Sequence, residues 1–345
     1  MPSNAPLGWL TASGSHHAIG LVLGHHGRAT VHDVLVGSAA WRASVAHARS
    51  PTVERMRAAT ARHFPWVMEE LHGLAEGLAL PFDAVFAWHC RGELLASVPD
   101  GCTSVLLPGA TPCLAHNEDG LPALDGTAFL VHAAPDDQPA FLSFGYPGSL
   151  PGHTFALTEA GLVQTVNNLR LTGLAPDIPR MVLGRVMLTC RSVAEVLALL
   201  AAAPASAGFH FGLARLGEPQ LTSVEIGGGR LSHREVTAPL LHANHALHHP
   251  DGDAGQVITR SSADRQRRGE ALLAAGERDP LAILGDEGDD GLPIFRRAPD
   301  DPDDENTLVT ACFRLRPDDI HWAVHVPGQV TPWRGTHRAL FTAAN

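Results

Sequence analysis

The sequence lacks any run rich in lysine or arginine. It has 25 basic against 36 acidic residues, and its formal net charge is −11. Phosphate backbones and anionic membrane surfaces attract proteins through clustered positive charge. The composition therefore argues against nucleic acid and against membranes as partners.

Long apolar runs are missing as well. The start, Met-Pro-Ser-Asn-Ala-Pro, has neither the charged residues nor the apolar stretch of a secretory signal, and no later segment approaches eighteen uninterrupted apolar residues. We expect a soluble, cytoplasmic protein. A chain of 345 residues, 45% of them hydrophobic, can form one large domain or two modest ones with a sizeable core.

Closely spaced cysteine pairs are absent too. The five cysteines are odd in number and widely spread, with no CxxC pair. They are Cys90, Cys102, Cys113, Cys190 and Cys312. This pattern excludes a disulfide framework and a zinc-thiolate site, but it leaves room for one reactive thiol.

Helical spacing dominates the chain before Cys102. Apolar residues at three- and four-residue steps predict a helix over 52–76, interrupted at Pro65, and a second one over 81–97. The turn signal Pro99-Asp100-Gly101 follows. The helical region is therefore expected to end just before Cys102.

Strand patterns dominate the chain after Cys102. Short apolar runs between Pro, Gly and Asp clusters predict antiparallel strands at 103–107, 112–116, 128–133, 140–144, 154–158, 162–166, 209–216, 221–226, 231–236, 238–243, 307–315 and 320–326. The order of helices and strands predicts an α+β fold in which helices cover antiparallel sheets.

Three further segments lie between these strands. Residues 179–200 predict two helices separated near Cys190, the second capped by Ser192. Residues 261–275 predict a charged helix that opens on serine caps. The acidic, Gly- and Pro-rich stretch 286–305 reads as a solvated loop.

Cys102 stands where the turn enters the first of these strands. Glycine at position 101 lets a nucleophile approach its carbonyl closely. Attack by the thiol on that carbonyl gives a thioester through a five-membered ring, and water then releases a chain that begins with Cys102. The new α-amine, with a reference pKa of about 8, could activate the thiol. A small buried residue after a turn would leave the same local pattern.

Several short segments occur in an order typical of one enzyme family. They are Glu69–Gly77, Asp100–Ser104, Ala115–Asp119, Gly161–Asn168, Ala243–His245 and Ser261–Arg265. In their order, and in the spacing from Cys102 to Asp119, they resemble the acyl-coenzyme A:6-aminopenicillanic acid acyltransferase family. These are autoproteolytic cysteine enzymes related to the choloylglycine hydrolases.

The resemblance implies a fold and a division of the chain. The fold would be that of the N-terminal-nucleophile hydrolases, in which two stacked antiparallel sheets lie between helical layers. Cleavage between Gly101 and Cys102 would leave residues 1–101 as a retained, helix-rich small subunit. Residues 102–345 would form the catalytic large subunit.

The resemblance also implies roles for single residues. Cys102 would be the nucleophile, and Asp119 on the neighbouring strand would hold the new α-ammonium or the thiol proton. Asn244 would donate to the oxyanion of the tetrahedral intermediate. Arg265 would pair with the active-site carboxylate or with the substrate. Taken alone, Asp119 could equally be a turn residue and Asn244 a loop amide.

Three more residues have open roles. Asn167 or Asn168 would supply a second oxyanion donor. His116 stands where many relatives place an arginine, three residues before the aspartate, and it would either bind substrate or pack on the strand face. This mechanism requires neither a cofactor nor a metal.

Three other interpretations compete. A metal site could use the histidine cluster at 242–249, although the flanking residues read as strand and turn, and no HExxH motif is present. A papain-like protease would begin a helix after its cysteine, and here a strand follows. A relative that keeps the fold without cleaving itself is the third.

The expected reaction is hydrolysis of a small amide, such as an N-acyl amine or an amino acid conjugate, because no basic patch for coenzyme A is visible. Transfer of the acyl group, from an amide or an acyl thioester to an amine acceptor, is the alternative. The sequence leaves the oligomeric state open, a homo-oligomer included.

Overall fold

The structure is a computed structural model that describes residues 7–95, 101–252, 255–288, 291–297 and 305–342. The expected turn at Pro99-Asp100 lies outside the described residues. In the described part of the chain, no helix combines the length and apolarity needed to cross a membrane.

The strands are named here in chain order. They are β1 (Gly8–Gly14), β2 (Cys102–Leu107), β3 (Cys113–Gly120), β4 (Phe129–Pro135), β5 (Phe141–Gly145), β6 (Phe155–Thr158), β7 (Leu162–Leu169), β8 (Gly208–Arg215), β9 (Glu218–Gly227), β10 (Arg230–Glu235), β11 (Leu240–His242), β12 (Asn306–Leu315), β13 (Ile320–His325) and β14 (Trp333–Thr336).

The helices are named in the same way. They are α1 (His16–Thr30), α2 (Ala39–Val45), α3 (Pro51–His63), α4 (Pro65–Leu78), α5 (Phe82–His89), α6 (Arg91–Leu94), α7 (Arg180–Met187), α8 (Val193–Ala202), α9 (Arg260–Ala274), α10 (Pro280–Leu284) and α11 (His337–Phe341). A π-helical turn, Val31–Leu35, continues α1.

The strands form two sheets. One has eight strands in the order β1-β4-β5-β6-β7-β8-β9-β10, and the other has six in the order β11-β2-β3-β12-β13-β14. Every named pair is antiparallel except β1 with β4. The predicted antiparallel sheets are confirmed, with one parallel edge pair that the sequence did not predict.

The two sheets lie face to face between helices. Leu106 and Leu114 of the smaller sheet and Phe155 of the larger one belong to a single buried cluster. Helices α7 and α8 cover the outer face of the eight-stranded sheet, and α9 and α10 cover that of the six-stranded sheet. Both faces of β2 and β3 are therefore buried, which places their polar side chains away from bulk water. The expected order of helix, sheet, sheet and helix is confirmed.

The segment before Cys102 packs against the sheets and helices that follow it. Helices α1 and α4 approach closely at glycines, where an added Cβ on Gly20 or Gly73 would overlap the backbone of the other helix. Helix α4 also carries Glu70, which accepts three hydrogen bonds from Arg185 of α7. Strand β1 extends the larger sheet. The segment is helix-rich as predicted, while its cleavage and retention stay predictions.

Several local predictions are confirmed. Helices α3 and α4 meet at Pro65, where proline begins the second helix. Helices α7 and α8 are separated around Cys190, and Ser192 caps α8 by accepting from the backbone N–H of Glu195.

Two local predictions are wrong. Helix α9 begins at Arg260 and is capped by Thr259, whose hydroxyl accepts from the backbone N–H of Ser262, so the two serines lie inside its first turn. The stretch 286–305 is not simply a solvated loop, since its residues Arg296 and Glu305 are fully buried and form an ion pair with each other.

Candidate active site

Cys102 is the first residue of β2 and is buried. Its register partner on β3 is Glu118. The Cys102 thiol donates to Oε2 of Glu118 over 3.7 Å. A carboxyl group therefore lies directly beside the sulfur, as a group that accepts the thiol proton must.

Glu118 is held by two other side chains. The Tyr146 hydroxyl donates to Oε1 over 2.8 Å, and Nε2 of His116 lies 3.0 Å from Oε2. His116 and Glu118 are two residues apart on β3, so their side chains share one face of the strand. The His116 ring therefore contacts the carboxyl group that contacts Cys102, and its expected role in binding substrate stays a prediction.

Asp119 has different surroundings. Its Oδ1 accepts from the Thr307 hydroxyl over 2.7 Å, and its backbone N–H donates to the Gly101 carbonyl oxygen over 3.0 Å. Glu118, which the sequence analysis did not single out, is the group placed at the sulfur. The role of Asp119 in holding a proton or the α-ammonium stays a prediction. Its main-chain contact with Gly101 is a feature that no sequence motif signalled.

Two side chains form hydrogen bonds with the backbone of Cys102, one with its N–H and one with its carbonyl oxygen. Its N–H donates to Oδ1 of Asn244 over 2.9 Å, and its carbonyl oxygen accepts from Nη1 of Arg265 over 2.6 Å. Nη2 of Arg265 also donates to Oδ1 of Asn244 over 2.7 Å. The structure therefore brings Cys102, Asn244 and Arg265 together, as predicted.

The direction of the Asn244 amide follows from these contacts. Two donors, Cys102 N–H and Arg265, point at the same atom, so that atom must be the oxygen. Nδ2 of Asn244 donates instead to the Asn168 carbonyl oxygen over 3.2 Å. In the uncut chain the Asn244 oxygen, not its NH₂ group, faces Cys102. Its expected role as an oxyanion donor stays a prediction.

Arg265 is fully buried on α9. Burial lowers the pKa of its guanidinium, while the negative charge of Asp119 opposes that effect. The guanidinium also donates to the Ser261 and Thr103 hydroxyls. Arg265 thus ties α9 to both residues that follow the expected cut.

Gly101 lies against the buried Arg296–Glu305 pair. A Cβ at this position would overlap the Glu305 carboxylate. Burial raises the pKa of Glu305 to about 7, although Arg296 acts in the opposite direction. Glycine at position 101 therefore allows the close approach of Glu305, and a larger residue would have to displace that carboxylate from its place beside Arg296.

Asn167 and Asn168 point to different places. Asn167 lies between the two sheets, where its Nδ2 donates to the His242 carbonyl oxygen and its Oδ1 faces Ser104 and His210. Asn168 lines the cavity next to Cys102. Of these two candidates for a second oxyanion donor, the geometry favours Asn168.

A cavity of about 20 Å³ adjoins the thiol, room for about one water molecule. It is lined by Arg91, Gly92, Cys102, Glu118, His153, Val166, Asn168, Arg180, Met181 and Phe209. A second cavity of about 280 Å³ shares three of these residues, Gly92, Asn168 and Arg180. Cys102 therefore lines a small cavity that adjoins a larger recess through these three shared residues.

The histidines at 242–249 do not form a compact set of metal ligands. His242 and His248 both contact Glu225, at 2.8 Å and 3.7 Å, whereas His245 lies 2.8 Å from the Ser262 hydroxyl. Among the described residues, the donor atoms compact enough to reach one ion, within 4.8 Å of each other, are those of Cys102, His116 and Glu118. In this structure they contact one another, and we assign no metal to them.

Comparison with known proteins places the chain in a family. The sequence model described as "Acyl-coenzyme A:6-aminopenicillanic acid acyl-transferase" matches residues 107–329, well over half of the chain. The chain belongs to this family. The family is named for an acyltransferase, and the curated relative described next is named as a hydrolase. The match begins after Cys102, so it covers Asp119, Asn244 and Arg265 but not the expected nucleophile.

Individual relatives are more distant. "Beta-alanyl-dopamine/carcinine hydrolase" of Drosophila melanogaster is 28% identical over 159 residues. The match covers 40% of this chain and 41% of the relative, so the chain spans less than half of that protein's length. Two structures of conjugated bile acid hydrolase from Clostridium perfringens, a mutant and a variant, each cover 70% of this chain and 94% of their own, at 12% and 13% identity with TM-scores of 0.47 and 0.42.

Proposed function

We propose that this protein is a self-processing cysteine amidohydrolase that cuts its own chain between Gly101 and Cys102 and then hydrolyses a small amide through a thioester on Cys102. One observation carries the proposal. The Cys102 thiol, a carboxyl group that can take its proton and a donor to the Gly101 carbonyl oxygen meet at a single peptide bond.

The self-cleavage step uses groups already in contact. The Cys102 sulfur forms a bond to the Gly101 carbonyl carbon, and negative charge develops on the Gly101 oxygen. The Asp119 N–H lies 3.0 Å from that oxygen and stabilises it; loss of such a donor elsewhere costs about 3 kcal/mol. The C–N bond then breaks, the Cys102 nitrogen takes a proton, and water hydrolyses the thioester.

In this mechanism Glu118 accepts the proton of the Cys102 thiol. Its Oε2 accepts from the thiol, which becomes a better nucleophile as the proton leaves. The same carboxyl group can return a proton to the Cys102 nitrogen when the peptide bond breaks. A group placed this way contributes about 100-fold or more to the rate.

The mature site would reuse the same contacts. The new α-amine of Cys102 would donate to Oδ1 of Asn244, which already accepts from the Cys102 N–H. Arg265 keeps the Cys102 carbonyl in place. The substrate carbonyl would then enter from the larger recess and form an acyl thioester with the sulfur, and its amine would leave.

The recess of about 280 Å³ has room for a small amide. The relative from Drosophila is named as a hydrolase of beta-alanyl-dopamine and carcinine. Room for about one water beside the sulfur favours hydrolysis of the thioester. The family description favours the second candidate, transfer of the acyl group to an amine.

Trapping the acyl enzyme tests this function. Processed protein is mixed with a panel of N-acyl amines and N-acyl amino acids and quenched in acid, and the mass of the 102–345 fragment is measured. We expect the mass of the acyl group on the 102–345 fragment of wild type and none on the uncut chain of Cys102→Ala. Release of free acid identifies hydrolysis, and acylation of an added amine identifies transfer. Equal turnover by Cys102→Ala would contradict the proposal.

A further inference from the structure

A row of hydrogen-bonded side chains runs from Cys102 into the space between the sheets. Behind Glu118 lies His116, whose Nδ1 is 2.9 Å from the Ser104 hydroxyl. Ser104 in turn lies 2.6 Å from Oδ1 of Asn167 on the facing sheet. Every one of these side chains is buried. Because bulk water does not reach these side chains, the donor and the acceptor of each hydrogen bond can be assigned in turn, starting at Asn167.

The end at Asn167 is unambiguous. Its Nδ2 donates to the His242 carbonyl oxygen over 3.1 Å, and the reversed amide would set two oxygens against each other. Oδ1 of Asn167 therefore faces Ser104 and can only accept. The Ser104 oxygen lies 2.6 Å from Oδ1 of Asn167, which can only accept, and 3.1 Å from the Thr165 hydroxyl, which can donate as well as accept. The single Ser104 proton therefore goes to Asn167, and Thr165 donates to Ser104.

This fixes the tautomer of His116. Since the Ser104 proton is used, the oxygen of Ser104 can only accept from Nδ1 of His116, which therefore carries a proton. A neutral imidazole then has a bare nitrogen at Nε2. That atom lies 3.0 Å from Oε2 of Glu118, and a carboxylate beside a neutral ring would leave two acceptors facing each other. The contact is therefore either a protonated Glu118 that donates to a neutral ring or an imidazolium that donates to a carboxylate. Both side chains are buried, and separating two charges from water is costly, which favours the neutral pair.

We propose that Glu118 is protonated on Oε2 in the uncut chain and donates to Nε2 of a neutral His116, so that the Cys102 proton leaves through Glu118 to His116. The thiol passes its proton to Oε2 while Oε2 passes its own to Nε2. The products are a thiolate, a neutral Glu118 and an imidazolium. Only the proton transfer rests on the proposed function; the resting protonation does not.

The surroundings of Glu118 and His116 favour a neutral pair over an ion pair. Burial lowers the pKa of His116 to about 3, which disfavours a resting imidazolium. Oε1 of Glu118 accepts from Tyr146, as the carbonyl oxygen of a protonated carboxyl group does. His116 is thus a positioning residue that accepts a proton only as the thiolate forms, when the two opposite charges stabilise each other.

The test compares uncut chains. In Cys102→Ala the trio of Glu118, His116 and Tyr146 is retained, and adding Glu118→Gln mimics a protonated glutamate. The glutamine NH₂ donates to Nε2 of His116, and its oxygen accepts from Tyr146. We expect a Tm within about 1 °C of Cys102→Ala, together with the loss of one carboxylic acid C=O stretch from the infrared difference spectrum.

Glu70→Gln in the same background is the matched control. Although burial alone would raise the pKa of Glu70, Arg185 and His16 hold it below its usual range, so this buried carboxyl group is ionised. The control should lower Tm by about 4 °C or more and remove no acid band. A Glu118→Gln that behaves like Glu70→Gln would overturn the proposal.

Failure of the proposed self-processing and failure of the protonated Glu118 give different results. Wild type that stays uncut while the Glu118 acid band is present would refute self-processing alone. Wild type that is cut while Glu118→Gln removes no acid band would refute the protonated Glu118 alone. Both spectra are taken with a metal chelator present, so that no bound ion replaces the proton.

Discussion

The two faces of the β2–β3 pair carry different side chains with different hydrogen-bond partners. The face toward the larger sheet carries Cys102, Glu118 and His116 in one hydrogen-bonded row. The opposite face carries Thr103, which accepts from Arg265, and Asp119, which accepts from Thr307. In the proposed mechanism, adjacent residues therefore have two separate tasks, with proton transfer on the inner face and support of the backbone at the expected cut on the outer one.

Exchanging one carboxyl group on each face is the strongest test of this separation. Glu118→Gln cannot pass a proton on, so self-cleavage should slow by about 100-fold or more. Asp119→Asn keeps the backbone N–H that contacts Gly101, and should slow cleavage by only about 10-fold. The rate is followed as loss of the uncut band after refolding. Equal rates for both variants would remove the distinction between the faces.

The inner face should also be the more sensitive to acid. His116 has a pKa of about 3 when folded and about 6.5 when unfolded, so the unfolded chain binds the proton first. Its stabilising effect is complete above pH 6.5 and falls as the pH drops toward 3, by about 3 kcal/mol at pH 4.

The measurement is thermal unfolding at pH 7 and pH 4 for Cys102→Ala with and without His116→Gln. Burial also lowers the pKa values of His89 and His248, each to about 4. Both proteins therefore lose stability in acid, and the smaller loss in the His116→Gln variant is assigned to His116. An identical loss in the two proteins would contradict this assignment.

A smaller effect is expected from a substitution at Gly101, the residue before the expected cleavage site. Gly101→Ala places a Cβ against the Glu305 carboxylate and should destabilise the chain by about 1–3 kcal/mol, with cleavage slowed by about 10-fold. Gly37→Ala, where an added Cβ meets no atom within 4 Å, is the control. Normal cleavage and Tm in Gly101→Ala would show that Glu305 does not constrain this position.

Much of this arrangement could be predicted from the sequence. Short apolar runs between Pro, Gly and Asp clusters predicted most strands, and proline and serine signals predicted the helix boundaries at Pro65 and Ser192. Cys102 was found because a Gly-Cys pair follows a turn and precedes a strand, and because it fits the order of the family's segments.

Other features depend on long-range register. Glu118 was missed because the family resemblance pointed to Asp119, and only the pairing of β2 with β3 shows which carboxyl group lies opposite Cys102. Strand β1 finds its parallel partner β4 far along the chain. Arg296 and Glu305 lie in an acidic, loop-like stretch, and their burial follows from contacts that local composition does not encode.

Intact mass under denaturing conditions tests the central claim most directly. Freshly purified wild type and Cys102→Ala are compared. The account predicts two fragments for wild type, 1–101 and 102–345, and one uncut chain for Cys102→Ala. An uncut wild type, or the same two fragments from Cys102→Ala, would contradict it.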